Sequence, residues 1–209
     1  MRLLENILEE LNLTIQQNLN TLTDFTNLGN QTQFYRNTKL TTKDEITFPI
    51  VLTGSGKATK ISVDNDYPLQ IYHRLIKPET EENPAQGYGT KSYRFKVFQM
   101  RLFCFGTLKK LNNPNHEYGP DILQIVYNTL PVVLNQGERI QPDQENTDGS
   151  EILNSEFSGA VTKHFATIHV AFTIDYSIRQ RVDCGTPIND PIITLNDVDF
   201  ISANSYFVT

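Results

Sequence analysis

The stretch "KHFATIHVAFTIDYSIRQR", residues 163–181, carries an apolar side chain at every even position, from Ala166 through Ile168, Val170, Phe172, Ile174 and Tyr176 to Ile178. The odd positions hold Thr167, His169, Ala171, Thr173, Asp175, Ser177 and Arg179. Successive side chains on a strand point to opposite faces, so this is one long β-strand with an apolar face and a polar face. At about 3.3 Å per residue it spans roughly 45 Å, more than twice the usual strand. Such a strand either reaches past its own sheet to pair across a subunit boundary, or bends through a bulge and serves two parts of one sheet.

A second long strand begins at Tyr93. Its apolar set is first odd (Tyr93, Phe95, Val97) and then even (Phe98, Met100, Leu102, Cys104), with Phe103 and Phe105 adding bulk on the other side. The change of phase implies a bulge near Val97 or burial on both faces further along, and a central place in the sheet. Glu45 to Leu52 and Thr59 to Val63 are two further β-rich runs, joined by "TGSGKA".

Two helices accompany the strands. Residues 3–28 repeat Leu4, Ile7, Leu8, Leu11, Ile15, Leu19, Leu22 and Phe25 at steps of three and four, with Gly29 as the expected stop. The opposite face holds Glu5, Glu9, Asn12, Gln16 and Asn20, turned to solvent or to a polar neighbour. "PDILQIVYNTLP" reads as a short helix with Pro120 in its first turn and Pro131 as its bound. The stretch from Asn135 to Gly159 is polar and mostly irregular. The expected fold is therefore α+β: a twisted, mostly antiparallel sheet with long strands and helices packed on one face. Residues 1–182 form a single domain and 183–209 a carboxy-terminal arm.

The arm, with Pro187 and Pro191, supplies Ile192, Ile193, Leu195, Phe200, Tyr206 and Phe207 without the periodicity for a core of its own. Such an arm must bury them on its own domain or on a neighbour; the six are the expected interface, suited to strand addition at an exposed sheet edge of an adjacent subunit or ring partner.

A formal charge of −6 and the lack of clustered Lys and Arg argue against a dedicated nucleic-acid binder. "MRLLENILEELNL" interrupts its apolar residues with Glu5, Glu9 and Glu10, so no secretory signal is expected, nor any membrane span. The two cysteines, Cys104 and Cys184, form no framework and are expected to be reduced, as in a cytoplasm.

Motifs for chemistry fail on their own terms. "GSGKAT" has Val51 where a phosphate loop needs its first Gly and Ala58 where it needs the hydroxyl after Lys57, and it leads into a β-prone run rather than a helix. A hairpin turn is the expected reading. His73, His116, His164 and His169 show no ligand spacing, and Asp64 to Asp66 lack the rest of a calcium loop. Neither a cofactor, a metal nor a catalytic residue is expected.

The order of elements resembles the tail-terminator or tail-completion proteins of tailed bacteriophages, and more loosely other head–tail connector ring subunits. The stretches that carry the resemblance are "ILEELNLTIQQNL", "YRFKVFQMRLFCFGTL", "PDILQIVYNTL" and "FATIHVAFTIDYSI", less than half of the chain. The resemblance implies a virion structural protein without catalysis, assembled in the bacterial host cytoplasm. Its subunits would close into a homo-oligomeric ring, usually sixfold, that meets other tail or connector proteins. The chain departs from the family in its greater length, through the 135–159 stretch and the arm. The other reading is a soluble accessory or binding domain of a phage or mobile element, acting as a monomer or dimer.

Overall fold

The structure is a computed structural model; it describes residues 3–23, 25, 27–43, 46–52, 58–61, 67–77, 79–82, 94–106, 118–157 and 170–182. The arm and its six expected interface residues lie outside the described residues, as do Lys57, Asp64 to Asp66, Cys184 and the histidines other than His73.

The described strands are β1 (Gln33–Lys43), β2 (Ile46–Leu52), β3 (Ala58–Lys60), β4 (Leu69–Leu75), β5 (Thr80–Glu82), β6 (Arg94–Gly106), β7 (Val132–Val133), β8 (Arg139–Asn146) and β9 (Val170–Val182). The helices are α1 (Leu4–Leu19), α2 (Leu28–Gln31), α3 (Tyr118–Thr129) and α4 (Gly149–Glu156). All nine strands join one sheet in the order β3-β2-β1-β4-β6-β9-β8-β7, with β5 paired to β6. β1 and β4 run parallel and every other pair is antiparallel. This is the expected α+β fold with a mostly antiparallel sheet.

The two strands foreseen as long lie side by side at its centre. β9 pairs with β6 over the whole of both, from Arg94 opposite Val182 to Gly106 opposite Val170. The described part of the long final strand is thus served inside its own sheet, because β6 is equally long. No register shift interrupts β6 against β4 or β9. Its change of phase reflects burial on both faces: Leu102 and Cys104 enter one core, Phe103 and Phe105 another.

The larger core lies under α1 and α3. Ile7, Leu8, Leu11, Ile15 and Leu19 of α1 are fully buried, on the expected stripe. They meet Leu69 and Ile71 of β4, Met100, Leu102 and Cys104 of β6, and Val170, Phe172, Ile174, Tyr176 and Ile178 of β9. The even face of β9 is therefore core, as its sequence pattern predicts. α1 and α3 pack together, tied by Asn18 Nδ2 donating to Thr129 Oγ1 at 2.8 Å and by an edge-on contact of Phe25 with Tyr118, ring centres 4.2 Å apart.

Three local readings are corrected. Gly29 does not end the first helix, which stops at Leu19; Gly29 sits in α2, where an added Cβ would lie 1.9 Å from the Gln16 carbonyl oxygen of α1. The glycine is required by close backbone approach rather than by a cap. The 135–159 stretch is not mostly irregular, since it contains β8 and α4. Helices are not confined to one face either: α4 sits on the other, where Ile152, Leu153 and Phe157 pack with Ile61, Tyr72, Phe103 and Phe105. This second core makes the odd side of β9 less polar than expected, with Thr173 buried and Ala171 packed against it.

Candidate functional site

Two buried polar clusters lie on β4, back to back across the sheet. On the helix-covered face, His73 sits between Asn12 of α1 and Tyr176 of β9, all three buried. Its Nε2 is 2.7 Å from Asn12 Oδ1, and its Nδ1 is 2.7 Å from the Tyr176 hydroxyl. A neutral imidazole satisfies both contacts in one tautomer, Nε2–H donating to Asn12 while Tyr176 donates to Nδ1. Burial lowers the His73 pKa to about 3 and raises that of Tyr176 well above its ordinary value. The imidazole therefore stays neutral through the physiological range, locking α1 to the centre of the sheet. Asn12, expected to face solvent or a polar neighbour, has the polar neighbour His73.

On the other face, Glu156 at the end of α4 is 2 % exposed. It accepts from Arg74 Nη1 and Nη2 at 2.5 and 2.6 Å, and from the Tyr72 hydroxyl at 3.0 Å. Tyr72 stacks on Phe103, ring centres 4.7 Å apart, and the Arg74 guanidinium lies 4.5 Å over that same ring. Burial, reinforced by the Glu156 charge, raises the Tyr72 pKa well above the usual phenol value. Next to this cluster Arg101 of β6 makes a two-pronged bond to Asp175 of β9, 2.5 and 2.8 Å. That bond outweighs desolvation and holds the Arg101 pKa above its ordinary value. Arg74 and Arg101 are direct cross-strand neighbours, an unfavourable placement offset here by one carboxylate for each.

The sequence reading missed both clusters. His73 and Tyr176 are a hundred positions apart and only the β4-β6-β9 order brings them together. The signal for α4 was present: "DGSE", residues 148–151, has the Asp-x-x-Glu spacing of a helix start, and Asp148 Oδ1 accepts from the Glu151 amide at 3.1 Å.

The chemistry of these groups is cohesive: each buried charge or dipole joins a helix to the sheet or one strand to the next. Among the described residues no group of three or more His, Cys, Asp or Glu is placed to hold a metal, and no helix is long and apolar enough to cross a membrane. Cys104 is a buried free thiol whose pKa is pushed far up by desolvation, which makes it inert.

The sheet margins bear on association. β3, at one end of the sheet, has only three residues, all exposed. At the other end, among the described residues, β7 pairs with Arg139 and Ile140 of β8. The rest of β8 carries Pro142, a register shift between Pro142 and Gln144, and the acids Asp143 and Glu145, features that discourage another strand from adding there. No protein-family model matches the chain, and no curated protein matches it.

Proposed function

We propose that the protein is a virion structural subunit of the tail-terminator or head–tail connector kind, which closes with copies of itself into a ring, sixfold in the family it resembles, and works by geometry rather than catalysis. The observation that carries this reading is the pairing of β6 with β9 beneath α1 and α3. It brings the described parts of the four stretches on which the resemblance rests into one sheet-and-helix body. The use of buried polar groups supports the reading: His73 and Glu156 bind α1 and α4 to the sheet, as a subunit under mechanical load requires. An acidic subunit also suits a lumen that repels DNA instead of retaining it.

Sedimentation equilibrium of the full chain tests the proposal. A single defined multimer, reached as concentration rises, is the expected outcome. A monomer or dimer at every concentration would support the accessory-domain reading in its place.

A further inference from the structure

Past Arg74 the sheet forks. β1 pairs with β4 from Gln33 to Thr38, where Thr38 stands opposite Arg74; residues 39–43 keep only β2 beside them among the described residues. The line of β4 continues along β6 instead: the Ile76 amide donates to the Gln99 carbonyl at 2.8 Å, and β5 then pairs with β6 at Val97, Lys96 and Phe95. One branch is therefore β1 with β2, the other β5 with β6 and β9, and among the described residues no ladder joins β1 to β5. The backbone groups of residues 39–43 that point away from β2 thus form an open edge, the template for strand addition. Its sequence, "KLTTK", holds neither Pro nor Gly, unlike the β8 margin with Pro142 and its register shift. Lys39 on this edge is exposed.

We infer that residues 192–201 of the arm of one copy add as a strand to the 39–43 edge of β1 in the next. This deepens the ring reading and rests on it. β1, β4, β5 and β9 point one way and β6 the other, so β9 delivers the chain, at Val182, to the end of the sheet where the fork opens. A strand that enters the fork from that end runs back antiparallel to β1 and β5 alike, the more stable pairing. In "NDVDF", residues 196–200, Asp197 and Asp199 alternate with Val198 and Phe200, the period of a strand. Residues 183–209 contain four acids, Asp183, Asp190, Asp197 and Asp199, and neither Lys nor Arg. β1 holds Arg36, Lys39 and Lys43 and no acid, the next acids being Asp44 and Glu45 after the strand ends. Arg36 is already taken by Glu9, which leaves the exposed Lys39 to meet an Asp across the new pair. An edge lysine turns away apolar strands and accepts an acidic one. The sequence of the arm favours the neighbour. Thr186 and Asp190 each precede a Pro and are biased to extended backbone. The nine residues 183–191 so extended reach about 30 Å, whereas the fork of the same chain lies about 14 Å to the side of β9, three strand spacings away. An arm that runs straight passes its own fork, and donation from each copy to the next closes a ring when the rotation allows.

The test is cysteine cross-linking of the full chain in a Cys184→Ser background, which leaves the buried Cys104 as the sole native thiol. Lys39→Cys, at an exposed position, is mixed with a size-tagged set that carries one cysteine at each of residues 192–201 in turn. The mixtures are oxidised and the same samples are sedimented. Disulfide-linked pairs of tagged and untagged chains are expected at every second arm position within reach and not at those between, because only alternate side chains share the face of Lys39. Both cysteines placed in one chain should likewise link between copies. A link within that chain, with none between chains, would seat the arm in its own fork and overturn the inference. Multimers that form without a link, or with links at all arm positions alike, would show that the arm does not add to β1 as a strand, and the ring reading would survive. A chain that sediments as a monomer and does not link removes both.

Discussion

Glu156 is joined to Arg74 by two hydrogen bonds, 2.5 and 2.6 Å long, in a place where the carboxylate has almost no access to water. The bond spans 82 positions and anchors α4 to β4. Taking Glu156 away strands a largely buried guanidinium and a buried phenol, whereas an apolar replacement of both partners leaves no orphan charge.

Glu156→Ala is therefore expected to cost about 3–5 kcal/mol in urea unfolding. Arg74→Met combined with Glu156→Leu should recover most of that loss. The same pair of variants followed by amide exchange should show α4 losing protection in the single variant and regaining it in the double. A single-variant cost under about 1 kcal/mol would mean that α4 is held by its apolar side chains alone.

His73 gives the fold a pH dependence of definite sign. Its pKa is about 3 in the folded chain against an ordinary 6.5 when unfolded. Below pH 6.5 the unfolded chain takes up a proton that the folded chain refuses until about pH 3. The stability tied to the neutral imidazole is thus whole above 6.5 and drains away as pH falls. At pH 5 the loss amounts to about 2 kcal/mol. Unfolding free energies measured from pH 7 to 4.5 should show this slope in wild type and lack it in His73→Gln; equal slopes would place His73 in contact with water.

The strand patterns, the α1 stripe and the α+β class were legible because they are local: a period of two on β9 and of three to four on α1 reports burial directly. The clusters at His73 and Glu156 were not, since they depend on which strands become neighbours, and no periodicity states that. β8 was hidden for a related reason. As a strand near the sheet margin it buries little beyond Ile140, and Pro142 with its polar neighbours reads as loop. Gly29 was read as a cap because sequence shows a helix ending nearby, not the backbone that packs on the glycine.

Phe172→Ala should destabilise the protein by about 3–5 kcal/mol, since the ring is 2 % exposed in the core beneath the helices. Thermal and urea unfolding would measure it. A change below about 1 kcal/mol would contradict the register of β9 against β6.

Gly29→Ala tests the approach of α2 to α1. The new methyl would collide with the Gln16 carbonyl, a backbone group that moves only with its helix. The cost is expected at about 1–3 kcal/mol, as for overpacking in general. A neutral result would separate α2 from α1.

Removing everything after Thr186 addresses the arm. The proposal that Ile192, Ile193, Leu195, Phe200, Tyr206 and Phe207 dock on a neighbour predicts a folded, soluble chain that no longer assembles. Unfolding of the truncated chain would assign the arm to its own core, and normal assembly would make it dispensable.

The most direct test of the central claim is electron microscopy of the full-length chain at the concentration where it sediments as a multimer. Class averages are expected to show annular particles of one discrete rotational symmetry, each subunit related to the next by the same head-to-tail contact. Single-subunit particles, two-fold dimers or open filaments as the sole species would contradict it.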